Sequence, residues 1–509
     1  MADENNLTGG RTRRQFLQAL GAAVGGVAMS GAGAAGFGSQ VPPGQRSGTA
    51  VIPGGYAFYR VLSTESLLPW PGQPGRLNPV ADMTGVVLMA GASPRLFMHV
   101  TLAPSAIPAG VPSNPPPSAL VLATIDYVST SGRPVVANIK IVAYEGQSLD
   151  ASNIVGAAPE LLPVRVDRIG TGDTNFSGLY ATTLTSQDLS ESVAINSAPG
   201  VYLYDPATDR WTQKARFGDI VGDGVEYGGI FGDVALADDD SVLFTAGTTE
   251  AVPGYGGAQA LMLAPPFGGP GEHKAIVRTG DMLQGSNAVV DGIGLIDTSG
   301  ADGSLVAQVY ASRRNGRNRD LGTALLQGNI FQGARSLRML AASPHLVSPQ
   351  RQNFTIGETF MGPRVAGGGL VSYITHTDPL HSKEIVSFTR GSRQFRVQQS
   401  GDVVAGMQSA VAAVNAPVVS STGLVFDTVF LQDGTTALTV SDGNATQVLL
   451  GSGDFVEGQM ITNILFGCHP RNVDGNNRLA FVAEFLKEAG GNPNDPNNVL
   501  TALVVGIPV

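Results

Sequence analysis

The chain has 509 residues, 67 of them glycine and 32 proline, with a hydrophobic share of 43% and a formal net charge of −10. That charge supplies no basic field for a phosphate backbone, which argues against nucleic-acid binding, and an anionic membrane surface repels it on average. The length exceeds what one compact core serves, and short apolar runs punctuated by glycine point to an all-β repeat array whose units pack only on their neighbours.

The first segment with a grammar of its own is N-terminal. Thr12-Arg13-Arg14-Gln15-Phe16-Leu17 is followed by a Gly/Ala-rich apolar stretch from Ala19 to Met29 and by the small residues Ala32-Gly33-Ala34. The stretch is too short and too glycine-rich for a bilayer span, which takes roughly 20 apolar residues, and no later segment is apolar enough for one. A charged start, a short apolar run and an A-x-A-like site read as an export signal over residues 1–35. Its Arg13, Arg14, Phe16 and Leu17 resemble the twin-arginine export motif. The resemblance implies a protein exported in folded form, to the periplasm or beyond, with a cofactor permitted and none demanded. Residues 36–55, rich in Gly, Pro and Ser, read as a linker.

From residue 56 to 509 a single repeat domain is expected. Tyr56 to Leu62 alternates as a strand, and a Pro/Gly-rich loop follows through Gly75. Beyond it a four-run grammar recurs: a run ending in a polar turn, a second run, a third often containing Ala-Leu, and a fourth leading into Gly-Asp. The polar turns are Asp238-Asp239-Asp240, Ala301-Asp302-Gly303, Gly367-Gly368-Gly369, Ser421-Thr422-Gly423 and Asp474 to Asn477. Glycine or Asp/Asn stands there where a hairpin needs φ > 0, and the run after it is read as alternating with period two. Gly-Asp pairs stand at Gly218, Gly280, Gly401 and Gly453, and the wide middle interval holds two units divided near Ser348.

Seven units follow, starting near residues 76, 145, 218, 280, 346, 401 and 453. The last lacks a fourth run, and Tyr56 to Leu62 is left over. The expected architecture is a β-propeller of seven four-stranded antiparallel blades, closed by pairing that first strand into the last blade. An open row of hairpins or two β-sandwiches is the competing arrangement. The repeat resembles secreted bacterial propeller-like proteins of uncharacterised role.

Connections between propeller blades cross one face near the central channel, so Asp219, Asp281, Asp402 and Asp454 are expected to form a partial ring there, with Glu65 and Glu145 in equivalent positions. Such a ring could hold Ca²⁺, a hard cation that takes oxygen ligands, or supply an acid and a base for glycoside chemistry. The commoner use of a turn Asp is to accept backbone N–H groups of its own turn. No other cofactor is indicated. His376, Asp378 and His381 come nearest to a ligand set and lack a further ligand, as Cys468-His469 does. A G-x-S-x-G elbow is absent from the sequence, so triad hydrolysis has no support. The reading is a non-catalytic propeller that binds an extracellular ligand, glycan or protein, or serves as a scaffold. Its alternative is a secreted polysaccharide hydrolase or lyase with carboxylates at the channel mouth.

Overall fold

A computed structural model describes residues 51–509 except 72, 89–93, 104–115, 130, 157–163, 189–196, 223, 251–256, 300–301, 316–317, 348–354, 357–358, 377–383, 391–392, 467–470, 489 and 494. The export motif at Arg13, Arg14, Phe16 and Leu17 lies outside the described residues, as do Asp378, His381, Cys468 and His469. Among the described residues no helix is long and apolar enough to cross a membrane.

In blades 3 to 7 the polar turns lead into the second strand as their residue types require. Asp240, Gly303, Gly368, Gly423 and Asn477 all take positive φ, between 58° and 87°, a region that glycine and Asp/Asn tolerate best. Six of the sheets are built on four antiparallel strands taken in sequence order. In blade 3 they are Tyr227–Leu236, Val242–Thr248, Ala258–Ala264 and Lys274–Arg278. Blade 4 uses Ala288–Thr298, Ser304–Asn315, Asn318–Asn329 and Arg338–Ala342. In blade 6 the first strand breaks into Val411–Val414 and Val418–Val419, where Pro417 removes an amide donor.

Seven sheets are present, and the chain closes on itself. Tyr56–Ser63 pairs antiparallel with the last strand, Val499–Pro508, from Tyr56 opposite Pro508 to Ser63 opposite Ala502. It is the fourth strand that the final unit lacks. Packing gives an independent proof of closure. Seven sheets in an open row would bury six interfaces, yet seven apolar clusters lie between sheets, including one that joins Leu68, Val80 and Met98 of blade 1 to Val482 and Leu503 of blade 7. The architecture is therefore a seven-bladed β-propeller.

Two expectations need correction. The second strands do not alternate apolar with polar: Val242 to Ala246 are all buried, with Leu243 packed towards blade 4 and Phe244 towards blade 2. A blade between two neighbours has two core faces, so alternation selects the neighbour and not solvent. The Pro/Gly-rich stretch after Glu65 is also more ordered than a loop, because Leu67–Trp70 pairs with the beginning of the long strand Gln73–Leu88.

Candidate functional site

The first strand is a sheet edge in blades 3 to 6, and in blade 7 beyond its short pairing with Phe455–Val456, so alternate N–H groups along it have no strand partner. Side chains from the preceding blade supply the acceptors. Gln259, Thr323, Glu384 and Thr436, at or near the start of a third strand except for Thr323, which is midway along the longer third strand of blade 4, accept from the amides of Ile293, Phe360, Val414 and Ile464 in the next blade, at 3.1, 3.1, 2.9 and 3.0 Å. Their own amides donate to the hydroxyls of Thr279, Ser343, Ser400 and Ser452 at 3.0–3.2 Å. Three of those hydroxyl residues stand immediately before a Gly-Asp pair.

The Gly-Asp pair completes the same device. Gly218, Gly280, Gly401 and Gly453 take φ of 83–96°. Their amides donate to the inner strand that follows, at Tyr227, Val290, Val411 and Ile461, and those residues donate back to the Asp carbonyls. With the chain turned this way, each Asp carboxylate reaches the amide three residues earlier. Asp219 accepts from Arg216, Asp281 from Arg278 and Asp454 from Gly451, each at 2.7 Å, and Asp402 accepts from Gln399 at 3.0 Å. Burial pushes the Asp219 carboxyl upward against the pull of the Arg216 amide and guanidinium.

The equivalent positions elsewhere differ from expectation. Gln147, not Glu145, takes the Asp role before blade 2, accepting from Tyr144 at 3.1 Å. Glu145 occupies the hydroxyl position and accepts from Ser118 at 2.9 Å. Before blade 1, Ser66 rather than Glu65 accepts from Ser63 at 3.0 Å. Among the described residues no three His, Cys, Asp or Glu side chains are grouped to share a metal ion. The acidic run Asp238 to Asp240 is held by neighbouring backbone and amide donors. Asp238 accepts from Phe176 at 2.9 Å, Asp239 from Ser241 at 3.0 Å and Asp240 from the Asn175 side chain at 2.7 Å.

A second set of acids lies inside the ring. Asp173, Asp233 and Asp297, on the inner strands of blades 2, 3 and 4, accept from the inner-strand amides of Leu236, Ile296 and Val365 one blade further on, at 2.9, 2.9 and 2.8 Å. Arg471, in the first loop of blade 7, crosses to them. Its guanidinium donates to Asp173 Oδ1 at 3.1 Å, to the Thr298 carbonyl at 2.7 Å and to the Leu236 carbonyl at 3.3 Å. One side chain thus ties blade 7 to blades 2, 3 and 4 at the channel end away from the Gly-Asp turns. Burial raises the Asp297 carboxyl to about 7, against the pull of Arg471 and Arg364, and it raises Asp233 as well. Burial opposes charge on Arg471, but Asp173 and Asp297 more than offset this and hold it cationic.

The sequence gives one sign of this second set: Asp173-Thr174 and Asp297-Thr298 repeat the same pair before a hairpin. In both, the Thr hydroxyl donates to a carbonyl across the turn, Leu179 at 2.5 Å and Ser304 at 3.0 Å. The described histidines include two neutral core residues. Burial lowers His99 and His273 to about 4, and their rings meet the hydroxyls of Tyr180 and Tyr227 at 3.0 and 2.7 Å. His376 meets the Thr359 hydroxyl at 2.6 Å and Glu384 at 3.4 Å.

The concave site is at the Gly-Asp end, between blades 3 and 4, where a cleft of about 660 Å³ opens. Gly228 and Gly229 line one wall, Gly247 and Gly257 the back, and Gly292 with Tyr310 the other wall. Gln259, Asp291 and Thr248 place polar groups around it. The inner strand of blade 3 bulges here: Tyr227 pairs with Thr248 and Phe231 with Ala246, so three residues oppose Gly247 alone. A bulge turns backbone away from the ladder and commonly shapes a site rim.

No family model matches the chain, and no curated protein matches it either. Solved structures similar to it include the β-propeller domain of the Trilobed protease from Pyrococcus furiosus, at 8% identity and a TM-score of 0.37 over 82% of this chain and 100% of that one. Another is the periplasmic gluconolactonase of Pseudomonas aeruginosa, at 12% identity and a TM-score of 0.32 over 76% and 92%. A polysaccharide lyase is similar at 11% identity and a TM-score of 0.36 over 68% and 74%. Their named activities are unlike one another.

Proposed function

We propose that this chain is an exported, non-catalytic β-propeller that binds an extracellular ligand or partner at the face carrying the Gly-Asp turns. One observation supports it above the rest. Each of the four Gly-Asp carboxylates is engaged by an amide of its own turn, which is the geometry of a scaffold. A glycosidase needs two carboxyl groups about 5–10 Å apart across an open cleft, with environments that separate their protonation states. Asp233 and Asp297, whose carboxyls burial raises, are engaged in cross-blade hydrogen bonds, and Asp427, raised in the same way, is buried within blade 6 beside Thr439.

The test incubates the purified mature protein with a panel of polysaccharides, with and without Ca²⁺, and looks for cleaved products. Absence of products is expected. Hydrolysis or elimination that disappears in Asp219→Asn would overturn the reading in favour of a secreted polysaccharide hydrolase or lyase. Export rests on Thr12 to Leu17, and Arg13→Lys with Arg14→Lys is expected to leave the protein in the cytoplasm. Undiminished export of that pair would remove this part of the proposal.

A further inference from the structure

The cleft between blades 3 and 4 contains glycines that the fold itself does not require. None of Gly228, Gly229, Gly247 and Gly257 adopts the left-handed backbone that excludes side chains. Space does not require them either. Among the described residues a Cβ on Gly257 would meet nothing within 4 Å, one on Gly229 would touch Phe217 at 4.0 Å, and those on Gly247 and Gly228 would make contacts of 3.5 and 3.4 Å. Glycine in a strand weakens it and is retained where backbone bends sharply or something approaches it closely. With neither φ nor neighbours demanding it, the missing side chains leave room and bare peptide groups on the side of the cleft.

The remaining walls narrow the chemistry of what enters. Tyr310, 49% exposed, lies against Gly292, where an added Cβ would stand 3.7 Å from its ring. Its ring is thus an apolar platform with a wet edge. Asp291 accepts from the Ser312 hydroxyl at 3.0 Å, which orients its carboxylate. Gln259 is fixed by the Ile293 amide, which donates to its Oε1 at 3.1 Å. Asp291 is the one charged residue among the described lining residues, so their charge disfavours an anionic ligand. The volume is within the range of small-ligand sites.

A flat ring, an oriented carboxylate, a fixed amide and bare backbone suit a molecule with one C–H-rich face and adjacent hydroxyl groups on its rim. We infer that this cleft binds a neutral oligosaccharide, one sugar ring stacking on Tyr310 and its hydroxyls donating to Asp291. The inference rests on the ligand-binding reading above and names the ligand class for that face.

The experiment is calorimetric titration of the mature protein with neutral gluco-, manno-, galacto- and xylo-tetraose. Trigalacturonate and a tetralysine peptide serve as charged comparators. At least one neutral sugar is expected to bind, weakened tenfold or more by Tyr310→Ala and by Asp291→Asn. Gly257→Leu, which fills the cleft from a position with open space, is expected to do the same without lowering Tm. Binding by none of the four sugars overturns the inference, as does preference for either charged comparator. Sugar binding unchanged in Tyr310→Ala and Gly257→Leu also overturns it, although the propeller would remain a ligand-binding protein. Cleavage of the bound sugar would leave the cleft assignment standing and overturn the non-catalytic reading.

Discussion

Two sets of aspartates do the same chemical work at opposite ends of this ring, and they differ in reach. Asp219, Asp281, Asp402 and Asp454 each accept from an amide three residues back. Asp173, Asp233 and Asp297 accept from amides more than 60 residues ahead, and Arg471 joins Asp173 from 298 residues away. The local set shapes turns. The distant set holds blades to one another, and its removal leaves buried groups that no water can reach. The difference predicts how the molecule answers to mutation.

The largest effect separates the two sets by opening the ring. Deleting Tyr56–Ser63 strips the partner from Val499–Pro508 and exposes an unpaired edge in the last blade. The truncated protein should aggregate, and in any soluble fraction the amides of Leu236 and Val365 should lose exchange protection before those of Arg216 and Gly451. A monomeric, equally heat-resistant truncation would break the closure on which the cross-blade set depends.

Asp173→Ala comes next. It leaves the Leu236 amide without its acceptor and removes the carboxylate facing the Arg471 guanidinium; breaking a fully buried pair costs about 3–5 kcal/mol, and since the Arg471 side chain is 23% exposed a loss of about 2–4 kcal/mol is expected. Denaturant unfolding should show that loss, and Arg471→Ala combined with it should cost less than the two separate losses added together.

Asp427 sharpens the comparison because it is a buried acid outside both sets. It is 0% exposed on the second strand of blade 6, where the Thr439 hydroxyl donates to one carboxyl oxygen while the other has no partner among the described residues. Burial raises it to about 7 from an ordinary value near 3.8, with Thr439 acting the other way. Below the ordinary value both the folded and the unfolded chain hold the proton, and no cost arises. Between that value and 7 only the unfolded chain ionises, so stability falls as pH rises, and above 7 the deficit is constant. Asp427→Asn should therefore raise stability by roughly 2–4 kcal/mol at pH 8 and by much less at pH 4, since each unit of displacement is worth about 1.4 kcal/mol. Thermal melts at the two values check it, and equal gains at both would contradict the burial account.

Smaller still is Asp454→Ala, which removes a single turn acceptor from Gly451. About 1 kcal/mol is expected by equilibrium unfolding, the typical worth of one hydrogen bond. A loss of the size expected for Asp173→Ala would erase the distinction between the sets.

The legibility of the sequence follows the same division of reach. Gly-Asp turns and hairpin tips were readable because a turn is decided by residues within four positions, and glycine or Asp/Asn must stand where φ is positive, as at Gly280 and Asp240. The four-run period and the leftover strand at Tyr56 followed from counting those turns. Arg471 was not readable, since nothing in its local sequence refers to Asp173, and the ring alone brings them together. Nor was the cleft: in a chain with 67 glycines, Gly229 and Gly257 are inconspicuous until the structure shows that they have space to spare. The displacement of the acceptor to Ser66 and Gln147, one and two residues past the expected Glu65 and Glu145, has a similar cause. Both acids are conspicuous in sequence, whereas the turn selects whichever side chain lies three residues after the amide it must reach.

Calcium titration tests the central claim most directly, because carboxylates that serve their own turns, with no three acids grouped among the described residues, offer no shared cage for a cation that takes about 6–8 oxygen ligands. Thermal melts of the mature protein and of Asp219→Asn, with and without millimolar Ca²⁺, should show no calcium-dependent shift in either. A calcium-dependent rise of several degrees in the wild type, lost in Asp219→Asn, would show that these carboxylates serve a shared ion and would contradict the account.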